Sequence, residues 1–324
     1  MTIHTLAVLT HGEDGPGMNA AIRAVVRMAT HEGWQSRGVR RGFAGLLAGE
    51  FVPLGTRDVS GMIERGGTRL GTGEGQLDTP LRVREALRRL NEEAVDALVV
   101  IGGREAMAGG AALSAAGMPV VGVPACIDND IVGTDRAIGV DTALNTALDA
   151  LDRIRDTASS QQEAFVAEIA GRQSGHLALL TAVAAGAEVL CVPEQPYTCQ
   201  EVAEQVSAAY VRGKQHCLIV VAEGARPSAA ELAAALEACR EEVGFATHLI
   251  ILGHLQRGGA PLAQDRFLGT DLGAAAVVRL AQGQSGVMVG LVDGVPVTTP
   301  LAEAAAQSRV LEPEQLVMAD TLAR

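Results

Sequence analysis

Residues 5–32 read TLAVLTHGEDGPGMNAAIRAVVRMATHE. Thr5–Thr10 is a short apolar run without strict polar alternation, the pattern of a strand covered on both faces. A glycine-rich loop, Gly12 to Gly17, follows it, and from Met18 to Glu32 apolar side chains recur at helical spacing. The same order of strand, glycine turn and amphipathic helix repeats along the chain. Ala97–Ile101 (ALVVI) closes on Gly102 and Gly103, and Pro119–Val123 (PVVGV) runs into PACIDNDIVGTD. Further strands are expected at 165–169, 189–192, 217–222, 249–252 and 287–292. Helices between such strands imply parallel crossovers. The expected fold class is therefore doubly wound α/β, with ligands at the carboxyl ends of the strands.

Composition narrows the function classes. The 324 residues include 38 acidic and 26 basic side chains, a formal net charge of −12, with 48% hydrophobic residues. A disordered chain would be less hydrophobic, and a nucleic-acid binder would normally carry a basic stripe, so no nucleic-acid partner is expected. The length suggests about two domains, but composition alone places no boundary. Aromatic residues are 2%, so Ala, Val, Leu and Ile must build the core. The five cysteines, Cys126, Cys191, Cys199, Cys217 and Cys239, are odd in number and lack paired metal-type spacing. No secretory signal opens the sequence, and no uncharged apolar stretch of about 18 residues occurs. The expected location is cytoplasmic, with no membrane association.

Three loops after predicted strands carry candidate chemistry. Gly12-Glu13-Asp14-Gly15-Pro16-Gly17 opens a helix and offers backbone N–H groups to a phosphate, or is only a tight turn; the Glu13 carboxylate would repel phosphate. Gly102-Gly103-Arg104-Glu105 leaves room for a ligand near the backbone, with Arg104 either binding an anion or lying on the surface. Cys126-Ile127-Asp128-Asn129-Asp130 sets two carboxylates two residues apart, suited to general-base or metal work, although Asp and Asn are also ordinary turn residues. Arg172, after Gly171, and Arg257, within HLQRGG, are candidates to clamp a phosphate or to pair with acidic neighbours.

Read together, GPGMNAAIRAVVR, DVSGMIERGGTRLGT, ALVVIGG, IDNDIVGTD, ALDRIRDTASS, VAEGA and ILGHLQRGG stand in the order found in bacterial 6-phosphofructokinases. The chain resembles that family over nearly its full length. The resemblance implies two Rossmann-like domains with mostly parallel sheets, the phosphofructokinase fold. A larger, nucleotide-side domain would take 1–138 and 252–305, and a smaller, sugar-phosphate-side domain 139–251 and 306–324. It implies a tetramer with ATP, Mg2+ and fructose 6-phosphate as ligands. Asp128 matches the catalytic base that accepts the sugar hydroxyl proton, and Asp130 its neighbour near the metal. Gly171 and Arg172 match a Met-Gly-Arg segment in which Ala170 replaces methionine. Glu223, His254 and Arg257 match sugar-phosphate contacts.

Other positions depart from the family, and they cluster on one function, phosphoryl transfer. Glu13 replaces the second glycine of the first Gly-Gly-Asp loop. Arg104 replaces the aspartate associated with magnesium-ATP, so no metal ligand is assigned there. An expected phosphate-contacting arginine is missing, with Glu74 near its place, and Cys126 replaces a threonine that touches the transferred phosphoryl group. Two arginines that reach the sugar phosphate from a neighbouring subunit align with Glu163 and His248. Phosphoryl transfer is mainly positioning and charge neutralisation. Three lost charged contacts at about 1.5–3 kcal/mol each come to about 5–9 kcal/mol, on the order of 10³–10⁶ in rate, with the proviso that contacts in one network do not add.

The effector positions that the resemblance implies are retained. Arg23, Arg27, Arg57, Arg155, Arg212 and Lys214 match basic positions that bind ADP or phosphoenolpyruvate between subunits, and Glu188 matches the acid; only Arg212, for lysine, differs. The expectation is a family member with impaired catalysis that acts as an effector-binding, regulatory subunit, either as a homotetramer or in a hetero-oligomer with an active paralogue. The alternatives are an active ATP-dependent 6-phosphofructokinase, or a sugar-phosphate kinase with a different donor or acceptor.

Overall fold

The computed structural model describes residues 2–73 and 75–323. In chain order the elements are β1 (Thr5–His11), α1 (Met18–His31), β2 (Gln35–Val39), α2 (Gly42–Ala48), β3 (Phe51–Leu54), α3 (Pro80–Glu92), β4 (Ala97–Gly102), α4 (Arg104–Ala115) and β5 (Val120–Pro124). They continue with α5 (Val140–Gln161), β6 (Glu163–Ile169), α6 (His176–Ala185), β7 (Val189–Cys191), α7 (Cys199–Val211), β8 (Cys217–Ala222), α8 (Ala229–Ala238), α9 (Arg240–Val243) and β9 (Ala246–Ile251). A 3-10 turn at Gly253–Gln256 leads to α10 (Ala263–Ala281), β10 (Val287–Val292), β11 (Val295–Pro300), α11 (Leu301–Ala306) and α12 (Pro313–Ala323).

The fold is α/β, in two compact units. One comprises the chain up to Cys126, Ile131–Thr142 and Arg257–Arg309; the other comprises Ile127–Asp130, Ala143–Gln256 and the chain from Val310 onward. The first holds a seven-stranded sheet in the order β11-β10-β5-β4-β1-β2-β3. The β1–β2, β1–β4, β4–β5 and β5–β10 pairs are parallel, and the two outer pairs, β2–β3 and β10–β11, are antiparallel. Every residue of β1 and β4 is buried, which is why those strands read as unbroken apolar runs. Leu6 and Val8 pack there with Val25, Val99, Ile101 and Val277. The second unit holds four parallel strands in the order β7-β8-β6-β9, around a core that includes Val166, Ile169, Leu177, Ile219 and Leu232. Local signals fix its helix starts: α7 and α8 begin with capping boxes, Thr198 with Glu201 and Ser228 with Glu231.

Side-chain contacts account for where each unit begins and ends. Ile127 packs in the second core, taking the Asp128 segment with it. Leu252 belongs to the same core, and Gln256 accepts the Ala170 N–H at 2.8 Å, so the second unit extends to residue 256. In the first unit, Asp265 accepts from the N–H groups of Gly139 and Thr142, each at 2.8 Å. Arg309 donates to the carbonyl of Asp135 at 2.5 Å.

Candidate functional site

In the first unit, two glycine turns leave the sheet side by side. His11 pairs with Gly102 in the β1–β4 register, so the loop before α1 and the turn before α4 emerge at one sheet edge, beyond the strands' carboxyl ends. Gly12 has φ 86°, a left-handed conformation that glycine adopts without steric cost. Gly103 is the N-cap of α4 and Arg104 its first residue. The Arg104 Nε donates to the carbonyl of Ala305 at 3.3 Å, which ties its guanidinium to α11.

Glu13, in the other loop, forms an ion pair with Arg257: Nη2 to Oε1 is 2.8 Å, with the side chains 17% and 28% exposed for Arg257 and Glu13 respectively. Arg257, read from sequence as a candidate phosphate clamp, therefore has an acidic partner from within its own unit. Beneath the loop, His11 is buried and its ring packs on Phe43, with centroids 4.4 Å apart. Burial pushes the imidazole pKa below its ordinary value, an effect that Glu105 partly opposes.

In the second unit, the segment after β6 meets the segment after β8. Ile169 pairs with Ala222 in the register, and the Glu223 N–H donates to the Ile169 carbonyl at 2.9 Å. Glu223 Oε2 accepts from the backbone N–H groups of Gly171, at 3.2 Å, and Arg172, at 3.0 Å. Gly171 has φ 154°, and a Cβ there would lie 2.5 Å from the Ser174 carbonyl oxygen, so only glycine fits this turn. Arg172, itself at φ 46°, donates from Nε to Asp128 Oδ2 at 2.7 Å. The Asp128 side chain is 3% exposed and that of Arg172 is 41%.

Asp128, Gly171, Arg172 and Glu223 thus form one connected cluster, and Asp130 follows two residues along, partly buried. The second residue read as a phosphate clamp, Arg172, also has a carboxylate partner. His254 is exposed on the 3-10 turn. Glu168, on β6, has its carboxyl pKa raised, first by burial and then by the charge of Glu223.

The expected effector residues are distributed over both units. Arg23 and Arg27 lie on α1, and Arg57 is exposed in the segment after β3. In the second unit, Arg155 on α5 reaches the carbonyl of Ala185 and pairs with Asp152 at 3.2 Å. Glu188, its side chain 4% exposed, receives the Lys214 ammonium at 3.0 Å and the Leu218 N–H at 2.8 Å. Glu188 and Arg212 line a cavity of about 320 Å³ with Gln205 and Asp320. Glu163 and His248 pair with each other at 3.1 Å across β6 and β9. Glu74 lies outside the described residues, and among those described no helix is long and apolar enough to cross a membrane.

Sequence reading had not singled out Gln256, Asp265 or Asn19. Gln256 is fully buried and holds the Ala170 turn. Asn19 holds a distant loop, its Nδ2 donating to the Arg65 carbonyl at 3.0 Å and its Oδ1 accepting the Arg69 N–H at 2.8 Å. Gln256 lies inside the quoted HLQRGG motif and Asn19 inside GPGMNAAIRAVVR; for Asn19 the available signal was a polar residue among the apolar side chains of a helix.

The parallel sheets, with glycine turns at the carboxyl ends of neighbouring strands, define a doubly wound α/β protein. Residues 5–280 match the Phosphofructokinase family. The chain is 49% identical over 320 residues to ATP-dependent 6-phosphofructokinase 1 of Thermus thermophilus, covering 98% of this chain and 99% of that protein. It is 44% identical to the ATP-dependent 6-phosphofructokinase of Streptococcus suis, over 91% of this chain and 88% of that one. Among solved structures it matches phosphofructokinase from Saccharomyces cerevisiae with TM-score 0.85 and 33% identity, over 93% of this chain. It spans 45% of that longer chain. The chain belongs to the phosphofructokinase family.

Proposed function

We propose that this chain is a cytoplasmic, glycolytic member of the 6-phosphofructokinase group that turns over poorly by itself and acts as an effector-binding, regulatory subunit. The observation that carries the proposal is the pair of side chains at the first unit's glycine turns: a carboxylate, Glu13, and a guanidinium, Arg104. The family's magnesium triphosphate does not fit this donor set. The residue that opens α4 is a cation hydrogen-bonded to a carbonyl, and the carboxylate in the neighbouring loop neutralises Arg257 where a phosphate would need its charge. Removing charge neutralisation from phosphoryl transfer removes most of what such a protein contributes to the rate.

The sugar-phosphate side supports binding more than turnover. Asp128 stands at the position of the base that would accept the sugar hydroxyl proton, with Asp130 beside it. Gly171, Arg172, Glu223, His254 and Arg257 would meet fructose 6-phosphate. The effector set, Arg23, Arg27, Arg57, Arg155, Glu188, Arg212 and Lys214, would take ADP or phosphoenolpyruvate, either in a homotetramer or beside an active paralogue.

Isothermal titration of the purified chain with ADP and with phosphoenolpyruvate tests the proposal. One of them is expected to bind, and Arg212→Ala is expected to weaken it at least about tenfold, the scale of one charge-assisted hydrogen bond. Absence of binding by either would end the regulatory reading. A second reading, an active ATP-dependent enzyme, is favoured by the intact Asp128–Arg172 pair; ordinary turnover that Asp128→Ala abolishes would establish it.

A further inference from the structure

We propose that Glu13 is a built-in competitor for Arg257, occupying the guanidinium edge that an incoming phosphate ester needs and so weakening phosphoester binding in the first unit. The inference rests on the reading of Arg257 as a phosphate contact and adds to it the residue that sets its affinity. Three observations carry it. The Glu13 carboxylate lies 2.8 Å from Arg257 Nη2, the position and charge of one phosphate oxygen. The guanidinium has donor capacity to spare: Nε is buried and has no hydrogen-bond partner among the described residues, whereas a phosphate can engage two N–H groups of an arginine at once.

The third observation is that the arginine is held in place by its backbone. A Cβ on Gly66 would run into the carbonyl oxygen of Gly259, so the turn after Arg257 presses directly on the Gly66 loop. That loop is pinned to α1 by Asn19, through the carbonyls of Arg65 and Gly66. Glu13 lies six residues before Asn19 on the same chain segment. The two partners are thus anchored to one framework, and the pair forms at little entropic cost. An external phosphate must displace a carboxylate that is always present at high effective concentration.

The test is calorimetric titration of the full chain with fructose 6-phosphate and, separately, with inorganic phosphate. It compares the wild type with Glu13→Ala, Arg257→Gln and the double variant. Glu13→Ala is expected to tighten binding at least about tenfold, and the gain is expected to vanish in the double variant. A stronger gain for the ester than for free phosphate would assign the pocket to a sugar phosphate; equal gains would assign it to phosphate alone.

If Glu13→Ala binds as the wild type does while Arg257→Gln weakens binding, the competitor inference is overturned and Arg257 keeps its role. If the gain survives Arg257→Gln, the carboxylate acts through general charge, and the inference is again overturned. If Arg257→Gln changes nothing in either background, the reading of Arg257 falls, and the inference with it. Should Glu13→Ala fail to fold, Glu13→Gln, which keeps the side chain's length and removes its charge, makes the same comparison.

Discussion

At the scale of single residues, His11 shows how burial converts into a pH dependence. Its imidazole is buried against Phe43, and its pKa lies below the ordinary value of 6.5. The folded protein therefore stays neutral at this site while the unfolded chain takes up a proton as pH falls through about 6.5. Stability is unaffected above that pH and is lost below it. Melting temperatures measured between pH 7.5 and 5.5 are expected to fall less steeply for His11→Gln than for the wild type; equal slopes would show that His11 stays solvated. Residue-scale pairing is also where the sequence was least legible. Nothing in the spacing of Glu13 and Arg257, or of Asp128 and Arg172, shows that each arginine has a carboxylate on it, because the partners are brought together by strands far apart in the chain. The charge introduced at Glu13 and the charge reversed at Arg104 could be read from the sequence; the contacts they make could not.

At the scale of elements, Asp265 in the first turn of α10 joins that helix to the start of α5. It is 1% exposed and accepts three hydrogen bonds, from the N–H groups of Gly139 and Thr142 and from the Thr142 hydroxyl at 2.6 Å. Burial raises its carboxyl pKa, and those donors pull it back. Asp265→Ala would remove the buried carboxylate that these three donors share, so a loss of about 3 kcal/mol is expected in denaturant unfolding; a loss below about 1 kcal/mol would mean that water replaces the carboxylate. The central strands were legible for the same reason that they are stable. β1, β4, β5 and β8 are wholly buried and read as apolar runs. β2, β3 and β11 were not anticipated. β2 is Gln-Ser-Arg-Gly-Val, and β3 and β11 contain Pro53, Pro296 and Pro300. Proline suits edge strands, which need not donate on both sides, and β3 and β11 are the outermost strands of the seven-stranded sheet.

At the scale of the whole molecule, fold and family were legible because the motifs of a doubly wound α/β protein are local: each strand, glycine turn and helix lies within about 30 residues of sequence. The unit borders were less so, since they depend on where Ile127, Gln256, Asp265 and Arg309 find their partners. The central claim, that the first unit's loops carry the wrong charges for phosphoryl transfer from ATP, belongs to this scale because turnover is read on the whole chain. The direct measurement is steady-state turnover of homogeneous protein with ATP, Mg2+ and fructose 6-phosphate in a coupled assay, for the wild type, Asp128→Ala and the double variant Glu13→Gly with Arg104→Asp. The expected result is wild-type turnover at least about 10³-fold below the 1–100 s⁻¹ usual for kinases, little further loss in Asp128→Ala, and a rise in the double variant. Wild-type turnover within that ordinary range, abolished by Asp128→Ala, would contradict the claim.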